Sequence, residues 1–122
     1  MRLIRSIAEA HGLVADSEFA EGYPVTVNVG AEAAFATATV ADLFGDDRAV
    51  TAPSPLTGSE DFSFVLQEVP GAFILLGACP PGTDPHNAPS NHSASAAFDD
   101  GVLADGAALY AELAVRRLAA GS

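Results

Sequence analysis

The sequence contains no lysine and no tryptophan, and it has one cysteine, Cys79. A single cysteine excludes an intrachain disulfide framework and suits a reducing, cytoplasmic setting. Positive charge is scarce: five arginines stand against sixteen acidic residues, for a net charge of -11. Nothing here can neutralise a run of phosphates, so the composition speaks against nucleic acid as a partner. It speaks equally against an anionic membrane surface. Arginine as the only strong base, beside abundant alanine, fits a GC-rich genome as well as any function. Long apolar runs are also missing. None approaches the roughly 20 residues of a membrane span. The N-terminal MRLIRSIAEAHG is interrupted by Glu9 and His11, which leaves its apolar run too short for a signal peptide. The expectation is a soluble protein of the cytoplasm.

What is present is a chain of 122 residues, 49% of them hydrophobic, enough for one small core or for a piece of a larger one. Leu3, Ile4, Ile7 and Ala8 fall at helical spacing, and Gly12 can end that helix. The pattern starts at Met1 without a lead-in. Tyr23, Val25 and Val27 alternate with Thr26 and Asn28, which predicts a strand, with Pro24 marking an edge or a strand start. Residues 31–44 return to helical spacing and stop at Gly45. Pro53 and Pro55 punctuate a turn-rich stretch. Ser59 then suits an N-cap, with Glu60 and Asp61 in the first turn of a helix through Leu66. AFILL, residues 72–76, is a continuous apolar run of the kind that a sheet covers on both faces. A long loop follows over 77–98. Asp99 or Asp100 caps a last helix whose Leu103, Ala107, Tyr110, Leu113 and Ala114 form an apolar face, with Arg116 and Arg117 near its C-terminus.

The predicted fold class is α/β. Two or three short strands among four helices make a poor complete domain, and AFILL asks for neighbouring strands that this sequence hardly offers.

Three histidines are candidates for chemistry. His11, beside Gly12, reads as the end of the first helix. His86 lies in Asp84-Pro85-His86, a spacing found in metal sites but also in plain solvated loops. His92 follows an apolar strand and precedes a capped helix, and ligands of open α/β sheets gather beyond strand C-termini. Thr57-Gly58-Ser59-Glu60-Asp61 offers a glycine before a helix N-terminus, where backbone N–H groups suit a substrate carboxylate. Its acidic residues would repel an anion unless turned away, so an ordinary acidic first turn is the competing reading. Cys79 would need a partner base to act as a nucleophile. An inert thiol is its simpler reading.

The stretch TGSEDFSFVLQEVPGAFILLGACPPGTDP, with the later NHS and FDDGVLADGAALYAELA, resembles the C-terminal part of a metal-dependent amidohydrolase family. That family includes hippurate hydrolases, N-acyl-L-amino-acid amidohydrolases and auxin-conjugate hydrolases, and is related to aminoacylases and other dinuclear metallopeptidases. The order of the pieces matches as well, from a Tyr-Pro-x-x-x-Asn strand to Phe-Asp-Asp and a long helix.

The resemblance implies a concrete arrangement. Residues 1–28 would be the last helix and strand of an inserted α+β lid, or dimerisation, domain. Residues 29–122 would be the C-terminal part of the catalytic domain. An intact enzyme would hold two divalent metals, Zn or Mn, and hydrolyse the amide of an N-acyl or N-aroyl amino acid, acting as a homodimer. His92 matches a metal ligand, and Gly58 and Ser59 match a loop near the substrate.

The departures are equally concrete. No Glu-Glu pair and no His/Cys cluster stand in this sequence to supply the other ligands and the general base. Ala94 replaces a usual proline, and Val29 a usual polar residue. The resemblance therefore implies that the 122 residues alone are inactive. The alternative function is a non-catalytic remnant or interaction module.

Overall fold

The structure is a computed structural model that describes residues 1–58 and 60–121. Four α-helices carry it: α1 (Arg2–Ala10), α2 (Gly30–Phe44), α3 (Phe62–Glu68) and α4 (Leu103–Ala120). Single 3-10 turns, Asp46–Arg48 and Asp100–Val102, follow α2 and lead into α4. Among the described residues no β-ladder forms, so the strand half of the expected α/β class is not seen as a sheet.

The helix ends follow local chemistry. At the end of α1 the Leu13 amide donates to the Ala8 carbonyl and the Gly12 amide to that of Glu9. This is the Schellman pattern, and it needs the left-handed φ of 69° that Gly12 adopts without penalty. His11 is the C-cap of this helix, as its place in the sequence suggests. Gly45 ends α2 with a φ of 97°. Asp99 accepts a hydrogen bond from the Gly101 amide at 2.8 Å and caps the entry to α4.

Residues 71–78 run between helices on both faces. Leu76 approaches Gly106 of α4 so closely that a Cβ there would lie 3.1 Å from the leucine Cδ2. Phe73 packs instead on Phe62 of α3, with ring centroids 5.6 Å apart. The expectation of cover on two faces thus has a physical counterpart, but the cover is thin. Phe73, Ile74, Leu75 and Leu76 each keep more than a third of their surface exposed. AFILL has neighbouring helices and lacks neighbouring strands.

α4 turns a different face inward from the one its apolar spacing suggests. Leu103, Ala107, Tyr110 and Ala114 are exposed, whereas Val102, Asp105, Gly106, Leu109 and Leu113 are half-buried. Two features set this rotation. Gly106 permits the close approach of Leu76, and Asp105 pairs with Arg48 at 3.0 Å. Arg116 reaches Asp42 at 2.6 Å and Glu112 at 2.7 Å, and Arg117 pairs with Glu32 while lying over the Phe35 ring. Donating hydrogen bonds to Asp42 and Glu112 pushes the Arg116 pKa further above its ordinary value. These exposed pairs fix how α4 meets α2 but add little stability, and salt weakens them.

The buried core is correspondingly small. Ala36 is the one apolar residue among those described that is fully buried, joined by Thr39 and Ser63. The hydroxyl oxygens of Ser63 and Thr26 are buried without a hydrogen-bond partner. The accessible surface is 9703 Å², about 1.6 times the roughly 6,100 Å² expected of a compact monomer of this mass. α1 packs on none of the other helices, and its Leu3, Ile4 and Ile7 are exposed.

Candidate functional site

The loop that holds two of the three histidines is closed at its base by one backbone bond. The Asp99 amide donates to the Ala78 carbonyl at 2.9 Å. Asp99 therefore joins the end of the extended 71–78 segment to the start of α4, and everything between leaves and returns at the same point. His92 sits on this loop, beyond the C-terminal end of that segment, exposed to solvent.

Serine turns shape the chain around His92. Ser90 Oγ accepts the His92 amide at 3.3 Å, the Ser93 amide donates to the Ser90 carbonyl at 2.8 Å, and Ser93 Oγ accepts the Ser95 amide at 3.1 Å. The backbone is thus held by short polar side chains while the imidazole is left to the solvent. Replacing Asp99 with alanine keeps its backbone bond to Ala78 and removes the side-chain cap on the Gly101 amide. A lost N-cap costs about 1 kcal/mol, which predicts roughly fivefold faster exchange of the Gly101 amide, read by hydrogen exchange.

His86 has a different setting. Asp84 Oδ1 accepts the His86 amide at 3.0 Å, and Asp84 Oδ2 accepts the Asn87 side-chain amide at 2.6 Å. Both carboxylate oxygens of Asp84 are engaged in a turn, so the Asp-x-His spacing has a local structural purpose. Cys79 directs its thiol to the Thr83 carbonyl at 3.7 Å. That contact supplies an acceptor and not a base, which matches the inert reading.

Of the two residues matched to a substrate loop, Gly58 is exposed with open space around it. Ser59 lies outside the described residues. Among the described residues no three His, Cys, Asp or Glu side chains come together as a metal site. His92 is exposed on its loop and belongs to no such group among the described residues.

One pairing had little signal in the sequence. The Asn28 side chain donates to the Phe73 carbonyl at 3.1 Å and accepts the Phe73 amide at 2.7 Å. Next to it the Val29 amide donates to the Gly71 carbonyl at 3.0 Å. Tyr23 meets Phe64 of α3 edge to face at 5.9 Å. The resemblance sets residues 23–28 apart from AFILL, in a lid, yet their end is tied to it. The polar Asn28 at the last position of an alternating run was the available hint.

Comparison with known proteins decides the family. The model of Peptidase family M20/M25/M40 matches residues 14–116. The chain belongs to this family. Thermostable carboxypeptidase 2 of Saccharolobus solfataricus is 32% identical over 121 residues, covering 94% of this chain and 28% of its own length. Hippurate hydrolase of Campylobacter jejuni is 29% identical over 117 residues, covering 96% of this chain and 29% of its own. IAA-amino acid hydrolase ILR1-like 2 of Arabidopsis thaliana is 39% identical over 79 residues, or 65% of this chain and 17% of its own. The M20/M25/M40 chain described here thus spans less than a third of these relatives. No solved structure matches it significantly.

Proposed function

We propose that this chain forms the C-terminal part of a metal-dependent amidohydrolase that cleaves the amide bond of N-acyl or N-aroyl amino acids. The observation that carries the reading is the family match over residues 14–116, joined to relatives named for hydrolysing hippurate and an indoleacetyl amino acid. Residues 1–28 complete a lid domain and residues 29–122 close the catalytic domain. That boundary rests on the resemblance, and Asn28 and Val29 bond to residues 71–73 across it.

In the complete fold His92 would offer an imidazole nitrogen to a divalent metal, Zn or Mn. The residues present do not make a metal site by themselves, since among those described no three metal-capable side chains come together. In the complete fold the metal would polarise the scissile carbonyl and lower the pKa of water. By the resemblance, Gly58 and Ser59 would belong to a loop near the substrate.

The test joins this chain to the upstream part of the Saccharolobus carboxypeptidase, in place of the segment it matches. The joined protein is expected to hydrolyse N-benzoylglycine or an N-acetyl amino acid, with loss on chelation. A folded, metal-loaded product with no turnover on either substrate would favour the remnant reading.

A further inference from the structure

The entry and first turn of α4 hold two Asp-Gly pairs, Asp100-Gly101 and Asp105-Gly106, and the sequence has no Asn-Gly. Such pairs can rearrange without an enzyme. The glycine amide nitrogen attacks the aspartate Cγ, the nitrogen loses its proton, and a carboxyl oxygen leaves as water. Water then opens the resulting succinimide ring at either carbonyl. One opening returns aspartate, and the other leaves isoaspartate, with an extra carbon in the backbone. One water leaves and one enters, so solvent is the only reagent. Glycine favours the attack because it has no side chain to shield its nitrogen and few limits on its backbone.

The two pairs have different settings. Asp105-Gly106 lies inside α4, half-buried, and Arg48 holds the Asp105 carboxylate at 3.0 Å. Asp100-Gly101 lies in the 3-10 turn before α4, and both residues are exposed. What restrains this second pair is Asp99. Its Oδ1 accepts the Gly101 amide at 2.8 Å, and its carbonyl accepts the Val102 amide at 3.3 Å. The attacking nitrogen is therefore engaged through the very proton it must lose. The same bonds keep Asp100 at a helical ψ, about −20 to −30° in a 3-10 turn, and ring closure requires Asp100 to leave that conformation. A Cβ on residue 101 would lie 2.9 Å from the same Asp99 oxygen. The cap thus calls for glycine at 101, so the labile pair is built into the entry of α4.

We propose that Asp100-Gly101 is a site of isoaspartate formation and that the Asp99 side chain guards it by holding the Gly101 amide. The attack needs the same release of that amide that governs its hydrogen exchange, so the strength of the cap sets the rate. Conversion removes the cap and inserts its extra carbon between Asp99, whose amide closes the histidine loop on Ala78, and α4. The modification therefore falls at the joint between the loop and the helix. This inference is independent of the amidohydrolase reading.

The experiment ages the purified 122-residue chain in neutral buffer, labels isoaspartyl carboxylates with an isoaspartyl methyltransferase, and assigns them by peptide mapping. Without denaturant, Asp100 is expected to convert at least about tenfold faster than Asp105, because an exposed turn opens more often than a helix interior. In strong denaturant the two rates should be alike. Asp99→Ala should raise the rate at Asp100 roughly fivefold, the factor for a lost N-cap, whereas Asp99→Ser keeps a capping oxygen and should stay near the unaltered rate. The gain in Asp99→Ala should vanish in denaturant, which separates the cap from a simple neighbour effect. Should Asp99→Ala unfold, conversion at Asp105 rises with it, and Asp99→Ser and the unaltered chain still decide. Three results overturn the proposal: equal rates at Asp100 and Asp105 without denaturant, no gain at Asp100 in a folded Asp99→Ala, or a gain of the same size in Asp99→Ser.

Discussion

Purified alone, the 122-residue chain is expected to hydrolyse no N-benzoylglycine, with or without added Zn or Mn. The reason is a count of ligands. A catalytic metal takes about three protein ligands, and the reaction also needs a base near the attacking water. His92 is the one credible ligand, and among the described residues no three metal-capable side chains converge. Asp84, two residues before His86, spends both oxygens on its own turn. Turnover by the isolated chain that chelator abolishes would show that a complete site exists within these residues, and the reading of the chain as one part of a site would fail.

In the protein joined to upstream family sequence, His92→Ala is expected to lower kcat/KM at least about 100-fold and to reduce bound metal. Loss of a group that merely supports a ligand costs about 10–100-fold, so loss of the ligand itself should exceed that range. The helical signal should survive, because His92 is exposed on a loop whose shape comes from Ser90, Ser93 and Asp99. His86→Ala should be nearly silent, since the turn at Asp84 uses the His86 backbone amide and not its imidazole. Near-normal activity and metal content in His92→Ala would remove His92 from the site.

The helices were legible in the sequence because their signals are local, although α3 starts at Phe62 with Asp61 as its N-cap and not with Glu60 and Asp61 in its first turn. Gly12 and Gly45 stop α1 and α2 where the left-handed conformation is needed, and Asp99 caps the entry to α4 through its own side chain. The inward face of α4 was not legible. Its apolar spacing favours Leu103 and Tyr110, but the rotation is set by Gly106 against Leu76 and by Asp105 against Arg48, contacts between distant parts of the chain. The Asn28 clasp on Phe73 spans 45 residues and has no periodic signature. His92 stood out through family resemblance more than through spacing, because a single candidate ligand leaves no cluster to read.

Denaturant unfolding of the purified chain, run beside sizing chromatography, tests the central claim most directly. That claim is that these residues form an incomplete core. Full burial of a Leu-sized side chain stabilises by about 1.5–3 kcal/mol, against a whole-domain stability of about 5–15 kcal/mol. Leu3, Ile7, Leu75, Leu103, Tyr110 and Leu118 all remain more than half exposed. The predicted result is a broad, weakly cooperative loss of helical signal from a species that self-associates or binds a hydrophobic dye. A sharp cooperative transition from a compact monomer would contradict it, and would show that the 122 residues close a core of their own.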